Sequence, residues 1–174
     1  MVILGVDPGT HYTGWLAWDT DSDTIVDNNL NINFMQGRPK CMGKDLNKNC
    51  LYIFESLITS NMDWVVGTAA IEMFAGYGRS VGKSTFEACK WVGRFEQLFD
   101  GYKIPVKMIY RKGDVCPWIC KTTMAKDSDI RKALIKRYGK PGTKKAPGKL
   151  FGVTYDMWSA LAIAVTCYEK YCEA

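Results

Sequence analysis

The sequence predicts an α/β protein, a mixed sheet combining an antiparallel meander with parallel strands and flanked by helices. Three observations predict it. The N-terminal part reads as three short strands joined by tight turns, the remainder alternates strand-like with helix-like segments, and the last helical segment is apolar nearly all round, which suits only an interior position.

Taken in order, Val2-Ile3-Leu4-Gly5-Val6 is an apolar β-type run that ends at Asp7-Pro8-Gly9-Thr10, where proline and glycine impose a turn. Thr13 to Trp18 and Thr24 to Ile32 are the next two strands, separated by the turn cluster Asp19-Thr20-Asp21-Ser22-Asp23. Leu46, Cys50, Ile53, Phe54, Leu57 and Ile58 recur at helical spacing, so a helix of about 16 residues should lay its apolar stripe on the sheet. Trp64 to Met73 reads as a strand whose end delivers Glu72, and a glycine-rich loop, Gly76 to Gly82, leads into a long helix from Ser84 to Phe99. Ile104 to Tyr110 is a further strand. Asp127-Ser128 caps a helix that starts at Asp129 and stops at Gly139, and Lys140 to Lys149 is a basic loop rich in Pro and Gly. Thr154 caps the closing helix, Tyr155 to Tyr171. Neither an internal repeat nor a linker interrupts the chain, so residues 1–174 are read as one domain.

Composition narrows the function classes. A chain of 174 residues with 47% hydrophobic content can bury one sizeable core without crosslinks. No apolar run reaches the roughly 20 residues needed to cross a bilayer, and the opening apolar run is short and broken by Asp7, so a soluble, cytoplasmic protein without a membrane partner is expected. Seven cysteines form no CxxC pair and His11 is the only histidine, which argues against zinc and for reduced thiols, with Cys89, Cys116 and Cys120 as small core side chains. The net charge of +5 is a mild bias toward a polyanionic partner.

Three acids stand where an unpaired charge is costly: Asp7 after a wholly apolar strand, Glu72 within Ala69-Ala70-Ile71-Glu72-Met73-Phe74, and Asp156 at the start of an apolar helix. Taken singly, Asp7 fits a turn aspartate, Glu72 a partner of lysine, and Asp156 a residue favouring a helix N-terminus. If the two strands are neighbours and the last helix crosses them, the three carboxylates converge. Hard oxygen ligands without His or Cys then select Mg²⁺, with Mn²⁺ able to substitute.

Gly78-Arg79-Ser80-Val81-Gly82-Lys83-Ser84 imitates a phosphate-binding loop, but three residues lie between Gly78 and Gly82, and five between Gly76 and Gly82, where the motif needs four. No nucleotide cofactor is therefore expected, and Arg79 and Lys83 suit a loop that touches DNA phosphate beside Glu72. Lys140, Lys144, Lys145 and Lys149 form a second basic patch before the Asp156 helix, read either as a solvated loop or as a salt-sensitive DNA contact. Phe74, Tyr77 and Trp118 are candidates for stacking on bases, or core residues.

GVDPGTHYTGW resembles the opening motif of the RuvC-type Holliday junction resolvases of the ribonuclease H-like superfamily, AAIEMF resembles the strand carrying that family's catalytic glutamate, and DMWSALAIA resembles its closing helix. The likeness runs in order from Val2 to about Tyr168, and the Met-Trp-Ser form of the last motif is similar to phage-type members. The resemblance implies a ribonuclease H-like fold with Asp7, Glu72 and Asp156 as metal-binding catalytic carboxylates, and Lys126 similar to the family's lysine near the scissile phosphate. It departs from the family at Ser159, where many members carry a second carboxylate on the final helix; Ser159 could hold a metal-bound water, or Asp114 could serve as a fourth ligand, and the sequence leaves both open. The implied activity is Mg²⁺-dependent hydrolysis of four-way DNA junctions by paired nicks, leaving 5′-phosphate and 3′-hydroxyl ends, by a homodimer in a bacterial or phage-infected cell. A nuclease for other branched DNA, such as forks and flaps, and a non-catalytic DNA-binding protein are the alternatives.

Overall fold

The sheet grows outward from its most apolar strand. In the computed structural model, which describes residues 1–20, 24–27, 42–60, 64–76, 78 and 80–172, β1 (Val2–Pro8) lies between β2 (Tyr12–Asp19) and β5 (Val66–Met73). β2 runs antiparallel to β1, whereas β5 is parallel to it and is followed outward by a parallel β6 (Val106–Tyr110). At the other side β2 has two antiparallel partners that share its length: β3 (Thr24–Asp27) pairs with Ala17 to Asp19, and β4 (Met42–Leu46) with Tyr12 to Leu16. The expected mixed sheet of meander and parallel strands is therefore present.

Alternation along β1 sorts the molecule into two cores, because successive side chains leave opposite faces of a strand. Val2, Leu4 and Val6 point toward α1 (Asn47–Thr59) and α2 (Lys83–Gly101), joining Phe54, Phe95 and Phe99. Ile3 points the other way, into a core with Leu134 of α4 (Asp127–Tyr138) and Leu161 of α5 (Met157–Cys167). Full burial of each such side chain contributes roughly 1.5–3 kcal/mol before the entropy of ordering is subtracted. Every residue from Ala160 to Cys167 is buried, as an all-round apolar helix requires.

Two glycines let α5 come this close. A Cβ on Gly5 would lie 2.1 Å from the Ala160 carbonyl oxygen, and one on Gly14 would lie 2.6 Å from Cβ of Asp156. Both belong to the face that carries Ile3, so the helix rests directly on backbone and its first turn is delivered to the ends of β1 and β2.

Several expectations need correction. The third strand was read as far as Ile32, whereas β3 ends at Asp27 and the following residues lie outside those described. α1 is 13 residues long, and the segment before it is a strand, β4, that the helical reading did not contain. Arg111–Val115 forms a π-helical turn that continues into α3 (Cys116–Cys120). The fourth helix begins at Asp127, with Lys126 in the N-cap position and its N–H donated to Asp129 Oδ2 at 3.0 Å. The final helix starts at Met157 rather than Tyr155 and passes at Tyr168 into a π-helical turn. Among the described residues, no helix is long and apolar enough to cross a membrane.

Candidate active site

Asp7 and Glu72 occupy the C-terminal ends of two adjacent parallel strands, and both fall on the face covered by α5. Neighbouring strands are about 4.8 Å apart, so the carboxyl groups meet. The Asp7 carboxyl feels the charges of Glu72 and Asp156 and the Ser159 hydroxyl beside it. Burial, then the charges of Glu72 and Asp156, hold the Asp7 carboxyl well above its ordinary 3.8, with Ser159 and Arg111 opposing. Burial also raises Glu72, which is 8% exposed, and here Arg111 and the Asp7 side chain oppose. Burial thus favours the protonated form of both acids, and a bound cation would favour their charged forms.

Asp156 completes the cleft from above. The cross-strand register aligns Asp7, Gly14 and Lys44 in one row over β1, β2 and β4. Gly14 has no side chain to fill the middle of that row, and Asp156 sits there, with Lys44 Nζ 2.7 Å from its Oδ2. Asp7, Thr10, Tyr12, Phe74, Ser84 and Asp156 help to line a cleft of about 310 Å³ that presents neither histidine nor cysteine.

The donor set matches a hard divalent cation. Asp7 and Glu72 supply desolvated carboxylate oxygens whose mutual repulsion such an ion would relieve, and Mg²⁺ is commonly held by one or two carboxylates together with substrate phosphate and water. Among the described residues, no three His, Cys, Asp or Glu side chains already form a metal cage. Asp156 lies at the rim, where it pairs with Lys44.

The other residues singled out in the sequence divide. Ser159 lies beside Asp7, and its hydroxyl opposes the rise of that carboxyl. Asp114 is engaged elsewhere: its carboxylate accepts from the Tyr110 N–H at 2.8 Å, from the Tyr171 hydroxyl at 2.7 Å and from Lys170, so it braces the π-helical turns and is not a fourth ligand in this arrangement. Lys126 is exposed at the start of α4, whereas the cation whose field reaches both Asp7 and Glu72 is Arg111, which is also paired with Asp127. Lys83 lines a second cleft of about 800 Å³ with His11, Lys48 and Arg94, and this cleft shares Thr10 and Ser84 with the first. Arg79 and Tyr77 lie outside the described residues. Lys140, Lys144, Lys145 and Lys149 are exposed around a closed turn, in which the Gly148 N–H reaches the Pro141 carbonyl at 2.8 Å. Phe74 faces the cleft, while the Trp118 indole N–H is committed to Glu169 at 2.7 Å. Cys116 is buried and Cys89 and Cys120 are half-buried, and all six described cysteines carry free thiols. Burial pushes the Cys50 and Cys167 thiols up to about 12, too high for nucleophiles at neutral pH.

Sequence reasoning missed Arg111 and Lys44. Arg111 follows a strand end and carried a visible positive charge, but its direction is set by a π-helical turn. Lys44 sits in a strand whose composition, Met-Gly-Lys-Asp-Leu, gives no β signal.

Together, the strand order and the helix laid across β1 and β2 define the ribonuclease H-like fold. Among solved structures, RuvC of Thermus thermophilus is similar over 98% of this chain and 96% of its own, at a TM-score of 0.63 and 17% identity. T. thermophilus RuvC in complex with Holliday junction substrate is similar over 95% of this chain and 92% of its own, at a TM-score of 0.59 and 14% identity. No family model matches the chain, and no curated protein matches it by sequence.

Proposed function

We propose that this protein is a divalent-metal-dependent endonuclease that cuts branched DNA, four-way junctions above all. The observation that carries the reading is the desolvated Asp7–Glu72 pair at adjacent parallel strand ends, with Asp156 and Ser159 brought over it by α5. The likeness to RuvC, including a RuvC bound to a Holliday junction, supports the choice of substrate.

In this reading Asp7 and Glu72 would hold Mg²⁺ or Mn²⁺, with Asp156 available as a further ligand in exchange for its pairing with Lys44. The ion would polarise the scissile phosphate and acidify the attacking water, with cleavage leaving 5′-phosphate and 3′-hydroxyl ends. Ser159 fixes the orientation of the Asp7 carboxyl through its hydroxyl. Arg111 offsets the acids' charge and stands ready for phosphate, with Lys126 on the adjoining helix start as a further phosphate contact. Lys48, Lys83 and Arg94 on one side, and the lysines of the closed turn, supply sequence-independent attraction for the DNA backbone. Two equivalent strands in a four-way junction suit a twofold dimer, with one site for each strand. Such an enzyme would act in the cytoplasm of a bacterial or phage-infected cell.

Ser159 in place of an acid, together with the Lys44–Asp156 pair, favours a second reading as a DNA-binding protein without catalysis. One assay separates the two. Purified protein is incubated in Mg²⁺ with labelled four-way junction, fork and linear duplex, alongside Asp7→Asn and Glu72→Gln variants. Paired nicks in the junction, lost in variants that still bind, are expected. Binding without cleavage by the wild type selects the second reading, and equal cutting of every branched form removes the junction preference.

A further inference from the structure

Around the mouth of the site stand two aromatic rings that the chemistry above does not use. Tyr12 is 50% and Tyr155 80% exposed. Lys44 Nζ lies 5.9 Å from the centroid of the first ring and 5.8 Å from that of the second, while also holding Asp156. The lysine thereby ties both tyrosines to the rim of the catalytic cleft.

Tyr155 is also held in an unfavourable backbone conformation, with φ of 44°. Lys103 and Lys121 also have positive φ, but they follow α2 and end α3, where a left-handed residue terminates a helix. Tyr155 precedes α5 and has no such role. For a bulky residue this conformation is costly, and an 80% exposed ring recovers little of that cost by burial in the free protein. A glycine there would remove the strain, so the tyrosine side chain is what the position retains.

The surroundings indicate what the ring would receive. Tyr12 lines the catalytic cleft, Tyr155 lines a neighbouring cleft of about 790 Å³ that also contains Arg131 and Trp158, and Asp156 borders both. A flat partner that enters beside a phosphate and next to a cation is a nucleobase. Aromatic side chains accept unpaired bases whatever their identity, since every base offers a π face.

We infer that Tyr155, assisted by Tyr12, forms a stacking platform for an unpaired nucleobase of the strand being cut, next to the phosphate placed over Asp7 and Glu72. The platform rests on the nuclease reading of that site, and it selects substrates in which a base can leave its stack, as at a branch point, over continuous duplex.

The test uses the full chain with Asp7→Asn to prevent cleavage. Four-way junctions carry 2-aminopurine at successive positions around the crossover, and fluorescence and affinity are followed with and without Tyr155→Gly or Tyr155→Phe. At one position the base should be quenched on binding. Tyr155→Gly should lose that quenching and bind the junction roughly tenfold more weakly, while binding linear duplex unchanged. Tyr155→Phe should retain both. Tyr155→Gly should melt no lower than its parent, which separates lost stacking from lost folding. Equal quenching in the glycine variant, or junction binding with no quenched position, overturns the platform and leaves the nuclease reading intact. A protein that binds no branched DNA at all overturns both.

Discussion

Asp7 and Asp156 border one cleft in opposite surroundings. Asp7 lies on the floor, desolvated between strand ends, beside Glu72 and Ser159, and its carboxyl holds a proton far above the ordinary range. Asp156 lies at the rim, its side chain 42% exposed, and is matched by a lysine from an edge strand. The floor is fixed by the sheet and gathers two desolvated acids around one cation, Arg111; the rim is charge-balanced and rests on side chains that solvent can reach. Affinity for a cation is therefore concentrated at the floor, and adjustability at the rim.

Removing the floor should have the largest effect. Asp7→Asn is expected to lower cleavage by about 10³-fold while junction affinity is kept, because charge stabilisation is lost without removing a DNA contact. The same change should stabilise the metal-free protein at neutral pH. Since the folded carboxyl holds its proton more tightly than the ordinary 3.8 of the unfolded chain, wild-type stability is greatest below that value and falls as pH rises toward the folded one. The asparagine variant lacks this loss, so its advantage in melting temperature should widen from pH 4 to pH 7 and shrink when Mg²⁺ is added to both.

Next comes the joint between floor and rim. Gly14→Ala places a Cβ 2.6 Å from that of Asp156 and about as close to its backbone, which must push the start of α5 off the sheet. A cost of about 1–3 kcal/mol is expected in denaturant unfolding, with cleavage falling further than that loss explains. Gly5→Ala, which meets a backbone carbonyl at 2.1 Å, should cost at least as much stability. An unaltered midpoint for either variant would show that α5 is not seated on backbone.

Arg111→Met removes the cation that lowers both floor acids. The pH at which Mn²⁺ binding reaches half its maximum should move upward, and an unchanged profile would remove Arg111 from the site. The smallest effect belongs to the rim. Lys44→Met frees Asp156, and because an exposed ion pair is worth little, Mn²⁺ should bind only about twofold to fivefold more tightly without DNA. A larger change would mean that the rim is part of the floor.

The same contrast explains what could be read from the sequence. Asp7 and Glu72 were visible because a charge within an apolar strand conflicts with its neighbours, and that conflict is local. The all-apolar α5 announced its burial in the same way. Lys44 was hidden because β4 pairs through its backbone along β2, where Gly and Asp serve as well as stronger β formers. The direction of Arg111 depends on a π-helical turn, and the left-handed Tyr155 on the way α5 is entered; neither has a side-chain signature. Asp114 was misplaced because its partners Lys170 and Tyr171 are 56 and 57 residues away.

The most direct test of the floor is calorimetric titration of Mn²⁺ into DNA-free protein near pH 6, repeated in buffers of different ionisation enthalpy. Because burial raises the Asp7 and Glu72 carboxyls and a cation favours their charged forms, binding should release protons, and both binding and release should be lost in Asp7→Asn and Glu72→Gln. Binding of equal strength in those variants, or binding by the wild type with no proton released, would contradict a metal site built on this pair.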